Sequence, residues 1–481
     1  MRPTFRPREV EHDSDILRND VTQKRDAIVT GASAVTYESI VARIERLPVS
    51  GWHRFVRVVL GTATFFDAFD AVTIAFVAPV LAGLWHLSPV QIGFLFSSGY
   101  AGQWIGAVFF GWVGERYGRI FTINLTIVII SVFGLLSAFA WGYSSLWGFR
   151  FIQGLGIGGE NPVAATYVNE IAKARGRGRF TMLYQILFPL GFTAASLTSV
   201  WIIPHLGWRW MFVLGAFPAF LLIFIQRMVP ESPRWLARHA RFEEADLVLA
   251  KLEKKIFGGA EPPALRPAPE SESKGTAKFG DLFRGIYLTR TFCVWVMWFC
   301  AALIGYGLLL WLPSLFHTVY RLSLAESLQY SVLGNVTVLI MGIAAAFLID
   351  RVGRKTLFTF SFFFAALPLL WLGAFRAPTA RAVMLLAALG VTSISAAQLA
   401  LWTYTPEIYP TRMRSLGTGA ASSWGRAASM IAPPLVGWLL SVTHEARVIF
   451  LFLAATGFLG ALTVFLFATE TSGKVLEEIS P

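Results

Sequence analysis

Twelve mostly apolar stretches dominate this chain, and a spanning helix needs about 20 such residues. They run over 56–84, 90–113, 120–140, 146–170, 180–203, 209–228, 291–316, 328–349, 356–375, 381–402, 415–440 and 447–468. In hydrocarbon each backbone N–H and C=O must be bonded internally, so apolar runs of this length fold as helices. Composition agrees: of 481 residues, 55 % are hydrophobic and 15 % charged, against about 25 % charged in a soluble domain. There are too few charges to cover a water-facing core. The expected fold is an all-α membrane protein with 12 transmembrane helices in the lipid bilayer.

Short polar, Gly- or Pro-bearing turns separate the stretches, with one exception near 229–290. That segment opens with a basic amphipathic stretch (Arg234 to Lys255), read as a short surface helix, and continues through a Gly/Pro/Glu/Ser-rich run, read as a disordered linker. It splits the spans six and six. The expected divisions are 1–54 as a cytoplasmic N-terminal segment, 55–228 as a six-helix bundle, 229–290 as a cytoplasmic linker, 291–468 as a second bundle and 469–481 as a cytoplasmic tail. The first of these is read either as a disordered tail or as carrying an amphipathic helix over Tyr37 to Leu47. No positive n-region leads into a short apolar stretch at the start, so a cleaved signal peptide is not expected.

Net charge is +12, and its distribution tells what it is for. With a cytoplasmic N-terminus, the inner loops hold Arg116, Arg119, Lys173, Arg175, Arg177, Arg179, Arg351, Arg354, Lys355, Arg412 and Arg414, and every lysine falls on that side. Outer loops hold scattered arginines such as Arg209, Arg321, Arg376, Arg381 and Arg447. This is the positive-inside bias, so the excess reads as topology in a plasma (inner) membrane and not as a nucleic-acid surface. Cys293 and Cys300 lie two helical turns apart, roughly 10 Å and beyond disulfide reach.

The halves repeat. Gly114–Arg119 matches Ile349–Arg354 at an offset of 235, Asn169–Ile171 matches Pro406–Ile408 at 237, and Glu231–Ser232 matches Glu470–Thr471 at 239. Six spans per half gives both halves one orientation, a parallel repeat whose site lies between the halves near the midplane.

On these residues the chain resembles the major facilitator superfamily across all twelve stretches. Gly111–Ile120 is similar to its G-x-x-x-D-R-x-G-R-R signature, with Glu115 for Asp and Ile120 for the last basic residue; Ala346–Lys355 is a second copy lacking the first Gly. Pro230–Leu236 is similar to the sugar-porter signature. Asp67-Ala-Phe-Asp70 resembles the D-G-x-D of aromatic-acid/proton symporters, with Ala68 for Gly. Gly156–Val163 and Tyr404–Arg412 resemble the niacin-transporter and synaptic-vesicle-protein-like branch, while Gly305–Pro313 lacks the Gln-rich pattern of true sugar porters. The resemblance implies the major facilitator fold and alternating access.

Asp67 and Asp70 lie three residues apart on one face of the first span. A charge at the bilayer centre costs about 2.5–3.5 kcal/mol. Burial and like charge both favour the protonated form, which suits proton coupling. The plainer reading is a capping or water-lined aspartate. Arg150, entering span 4, is the counter-charge that the resemblance pairs with Asp70, which it makes the proton site; the alternative is an arginine snorkelling to the headgroups. Glu160, beside Asn161 and before Pro162, is either a second proton site or a partner for backbone freed by the proline. Arg426 lies twelve residues past Arg414, about 18 Å along a helix and so mid-membrane. Its planar fork suits a substrate carboxylate; the alternative is an ion pair with Glu160 or another acid. Gln153, Asn161, Tyr306, Trp311, Asn335, Gln398 and Trp402 are candidate lining residues, each also explicable as packing.

For gating, the candidates are Gly111, Glu115, Arg116, Gly118, Arg119, Asp350, Arg351, Gly353 and Arg354 of the repeated loops, with Glu170, Glu231, Arg234, Glu407 and Arg412. The resemblance makes them ion pairs that clamp the outward-open state; the plainer reading is solvated loop charge. Gly154–Gly159 spells the G-x-G-x-x-G dinucleotide fingerprint, but inside a spanning helix, where small residues serve close packing. Seven histidines lack paired-ligand spacing, so neither metal nor cofactor is expected. The reading is a monomeric carrier, not an enzyme, importing a small aromatic or heteroaromatic carboxylate with protons. A sugar or polyol/proton symporter and a transporter-like sensor are the alternatives.

Overall fold

A computed structural model describes residues 36–172, 184, 186–258, 278–375, 379–410 and 412–471, with the side chains of 346–350 and 415 outside that set. Lys24, Lys173, Arg175, Arg177, Arg179, Lys274, Arg376, Lys474, the side chain of Asp350 and most of the Gly/Pro-rich linker run lie outside the described residues. Two compact units make up the chain: Met1–Pro48 with Pro233–Ala268, and Val49–Ser232 with Pro269–Pro481.

In the smaller unit, α1 (Tyr37–Arg46) packs with α8 (Pro233–Arg238) and α9 (Phe242–Phe257). Its core is Ile40, Ile44, Leu47, Trp235, Leu236 and Leu249. The single surface helix expected over Arg234 to Lys255 is two helices, because the chain turns at Ala240 with φ of 57°. Arg43 pairs with Asp246 and, at 2.8 Å, with Glu253; Arg46 reaches Glu253 at 2.6 Å. Burial acts to raise the Glu253 carboxyl, but hydrogen bonds from Arg43 and Arg46 outweigh it and hold it below the usual glutamate value. A depressed carboxylate contributes stability above its unfolded pKa and loses it as pH falls through the folded value. Backbone amides of α1 in Glu253→Gln therefore exchange faster with deuterium than wild type at neutral pH, and the difference closes under acid; equal exchange at neutral pH would refute this.

The described residues of the larger unit form helices and the turns that join them. Among the described residues, nine helices are long and apolar enough to cross a bilayer: α2 (Gly51–Trp85), α4 (Arg119–Ala138), α6 (Leu187–Leu206), α7 (Arg209–Met228), α10 (Ile286–Leu309), α12 (Leu324–Val352, apolar to Ala345), α13 (Arg354–Ala374), α14 (Ala380–Glu407) and α16 (Ala446–Phe467). Three more of similar length dilute their apolar residues with glycine, serine and charge: α3 (Pro89–Tyr117), α5 (Tyr143–Ile171) and α15 (Arg414–Thr443). A short α11 (Leu312–Thr318) follows α10.

That dilution has a packing cause. A Cβ on Gly154 would stand 2.2 Å from the Gly99 carbonyl oxygen, and one on Gly158 would stand 2.1 Å from that of Gln103. Helices α3 and α5 thus touch backbone to backbone, and the glycine fingerprint is a helix contact. The two halves meet through α3 and α15, where a Cβ on Gly93 would lie 2.5 Å from the Pro433 oxygen and one on Gly437 2.4 Å from that of Pro89. This contact closes the end of the bundle opposite the repeated charged loops.

Candidate functional site

Three clusters occupy the interior. In the first, Arg150 of α5 is ion-paired with Asp70 of α2, both buried. Its Nη2 also donates to the Asp70 backbone oxygen at 3.1 Å, its Nη1 to Gln153 Oε1 at 2.7 Å, and its guanidinium lies 5.8 Å from the Phe212 ring. Snorkelling is therefore not the arrangement of Arg150. Gln153 is buried, and besides accepting from Arg150 its Nε2 donates to the Ile130 oxygen at 3.3 Å, so the amide braces Arg150 and ties α5 to α4.

In the second cluster, Asp67 of α2 and Glu160 of α5 are both buried and lie next to each other, within electrostatic reach. Neither Glu160 oxygen has a hydrogen-bond partner among the described residues, so Glu160 bonds neither the backbone near Pro162 nor Arg426. Asn161, half-buried, makes no side-chain hydrogen bond among the described residues.

The third cluster joins the halves. Tyr100 of α3 meets Tyr306 of α10 with ring centroids 5.0 Å apart. Tyr306 lies within electrostatic reach of Arg426 on α15, and Tyr100 within reach of Arg150 and Asp70. Arg426 is half-buried and forms no ion pair or hydrogen bond among the described residues. The Tyr100 hydroxyl is buried and has no partner among them. Tyr100 was not legible as a site residue; the only signal was its place in a Ser-Ser-Gly-Tyr polar break within an apolar span.

Other candidates fall elsewhere. Trp311 is fully buried, donates its Nε1 to the Pro433 oxygen at 3.1 Å and meets Phe96 edge-on, so it closes the halves and does not face a ligand. Trp402 is 49 % exposed and lies edge-on to Trp298. Gln398 donates to the Ala301 oxygen at 3.1 Å beside Gly305. Asn335 is buried; its amide donates to Ser331, its backbone oxygen accepts from Thr193 of the other half at 3.2 Å, and its Oδ1 has no donor among the described residues.

The repeated loops form matched networks. Gly118 (φ 112°) and Gly353 (φ 89°) turn the chain into α4 and α13 at angles side chains disfavour. The Glu231 carboxylate accepts from the N–H groups of Arg119 and Ile120 at 3.0 and 3.1 Å; Glu470 accepts from those of Arg354 and Lys355, both at 2.9 Å. Each satisfies orphan donors at a helix N-terminus, where the dipole favours an anion. Burial pushes the Glu231 carboxyl up from its ordinary value, against the backbone donors that pull it down. Arg119 reaches Glu170 at 3.0 Å and Glu115 at 2.6 Å, and Arg354 reaches Glu407 at 3.1 Å. Tyr167 and Tyr404 donate to Pro230 and Thr469 at 2.6 and 3.0 Å, extending the repeat.

Five members of the expected gate are not in these networks. Arg116, Arg351 and Arg412 are exposed and make no ion pair among the described residues, Arg116 lying instead against the Trp112 and Tyr117 rings. Arg234 belongs to the smaller unit, paired with Glu45 at 2.8 Å. Gly111 has open space where a Cβ would stand, so no close approach demands glycine there.

Residues 40–481 match the family described as sugar (and other) transporters. The niacin transporter NiaP of Acinetobacter baylyi is 33 % identical over 441 residues, covering 92 % of this chain and 99 % of that protein. Organic cation/carnitine transporter 7 of Arabidopsis thaliana is 29 % identical over 486 residues, covering 90 % and 95 %. Among solved structures, the D-xylose-proton symporter superposes with a TM-score of 0.70 at 20 % identity, covering 88 % of this chain and 100 % of that one. With the two-fold repeat, the helical bundle and the paired loop networks, the match places the chain: it belongs to the sugar (and other) transporter family of the major facilitator superfamily.

Proposed function

We propose that this transporter imports a small aromatic or heteroaromatic carboxylate, of the nicotinate or benzoate class, together with protons. The observation that carries the reading is Arg426. It lies mid-helix in α15 beside Tyr306, with no carboxylate paired to it among the described residues, whereas the other interior arginine, Arg150, is already neutralised by Asp70. A planar guanidinium without an internal counter-ion calls for an anion, and a carboxylate matches its fork. Tyr100 and Tyr306 supply the aromatic faces, and a ring settles against such faces by offset or edge contact. The 33 % identical relative bears the name of a niacin transporter, which fits.

In this reading the bundles 55–228 and 291–468 rock against each other in a single chain, with the linker 229–290, the N-terminal segment and the tail 469–481 in the cytoplasm of a cell whose plasma (inner) membrane holds the protein. Arg119, Glu170 and Glu231, with Arg354, Glu407 and Glu470, clamp one of its states. Uptake into proteoliposomes under an imposed inward proton gradient tests it, with labelled nicotinate, benzoate, 4-hydroxybenzoate, glucose and phosphate. One aromatic acid accumulates, and an uncoupler abolishes the accumulation. Arg426→Gln loses a charge-assisted contact of about 1.5–3 kcal/mol, a fall of roughly 10- to 150-fold in apparent affinity, and Arg426→Lys recovers part of it. Glucose uptake with unchanged affinity in Arg426→Gln would overturn the substrate class.

A further inference from the structure

Asp67 and Glu160 are 1 % and 0 % exposed. They face one another across α2 and α5, and none of their four carboxylate oxygens has a donor among the described residues. The groups around them are accounted for. Asp70, on the same face of α2, is held by Arg150. Tyr184, the other titratable neighbour, has its hydroxyl 2.5 Å from Thr64. No lysine, arginine or histidine pairs with either carboxyl among the described residues.

Two ionised carboxylates are acceptors only, so the contact between them is repulsive and each is left without a bond. Burying even one such charge unpaired is costly. A single proton changes the arithmetic: one carboxyl becomes a donor, the other accepts, and the contact turns into a charge-assisted O–H···O⁻ bond. Such a pair titrates as a unit. Asp70 can take a proton only by giving up Arg150; Asp67 and Glu160 take one by gaining a bond.

We propose that Asp67 and Glu160 share one proton, and that this pair, and not Asp70, holds the proton that travels with the substrate. The inference rests on the symport reading. The pair carries the proton while enclosed between α2 and α5 and releases it when water reaches it and solvates the two carboxylates separately. Asp70–Arg150 then fastens the two helices between which the proton is held.

The test uses the full chain in proteoliposomes with labelled nicotinate, and reads proton-driven accumulation and exchange of labelled for unlabelled nicotinate separately. Asp67→Asn and Glu160→Gln each place an amide donor where the proton sat. Both are expected to lose accumulation above the external concentration, to keep exchange, and to lose the dependence of exchange on pH. Full accumulation in both variants alongside its loss in Asp70→Asn would overturn the inference and leave symport standing. Accumulation in the wild type driven by a sodium gradient and not by a proton gradient would overturn both. A second measurement needs no transport: the infrared band of a protonated carboxyl in purified wild type, lost as pH rises and missing from Glu160→Gln. A wild-type protein without that band at neutral pH would refute the shared proton.

Discussion

Exchanging Asp70 for asparagine is expected to destabilise the protein by about 3–5 kcal/mol, the typical cost of removing one partner from a buried ion pair. The cost arises because Arg150 stays behind. Its guanidinium is buried on α5, and among its contacts only Asp70 supplies negative charge; Gln153 and the Asp70 backbone oxygen offer neutral dipoles. A double variant, Asp70→Asn with Arg150→Gln, removes both charges, and replacing a whole buried pair is often close to neutral. Thermal unfolding in detergent should therefore rank the double variant near wild type and Asp70→Asn well below it. Transport gives the opposite pattern: neither variant accumulates substrate, because the link between α2 and α5 is altered in both. A single variant as stable as wild type would show that Arg150 finds its counter-charge elsewhere.

This pair shows where sequence reading stops. Asp70 and Arg150 are 80 residues apart, and nothing in the spacing of two polar residues in separate apolar runs says that they touch. The resemblance implies it; the structure shows α2 and α5 packed directly against each other with the pair between them. The loop networks were readable in advance, because duplication printed the same residues twice at nearly constant offsets. What duplication does not reveal is that Glu231 and Glu470 accept from backbone amides, since a backbone donor leaves no mark in a sequence. The polar lining was the least legible part. Gln153 and Trp311 looked like ligand groups because they carry hydrogen-bonding atoms inside spans. A buried amide or indole needs a partner whether or not a substrate passes: the Trp311 indole finds backbone, and the Gln153 amide finds backbone and Arg150. Tyr100 is illegible for the converse reason: a tyrosine in an aromatic-rich span looks like packing, and only the structure shows that its buried hydroxyl has no partner among the described residues.

The duplicated loops also carry an asymmetry, and it predicts unequal effects from equal substitutions. The Arg119 side chain is 5 % exposed against Glu170 at 9 %, while Arg354 is 13 % exposed against Glu407 at 23 %. Water screens the second pair more, and Glu407 has further support from the Thr471 hydroxyl at 2.5 Å. Arg119→Ala therefore strands a buried carboxylate, whereas Arg354→Ala leaves one that solvent and a hydroxyl still serve. The first is expected to cost about 3–5 kcal/mol, and the second about 1–2 kcal/mol, nearer the value of an ordinary charged hydrogen bond. Glu115 does not rescue the first variant, since it bonds Arg119 itself and adds another negative charge next to Glu170 once the arginine is gone. Pairing Arg119→Ala with Glu170→Gln should restore most of the lost stability, while the matching addition of Glu407→Gln to Arg354→Ala should restore little. If the gate works through these pairs, uptake follows the same order, with Arg119→Ala the slower of the two single variants. Equal losses of melting temperature in Arg119→Ala and Arg354→Ala would mean that the halves share the load evenly and that burial does not set the strength of the clamp.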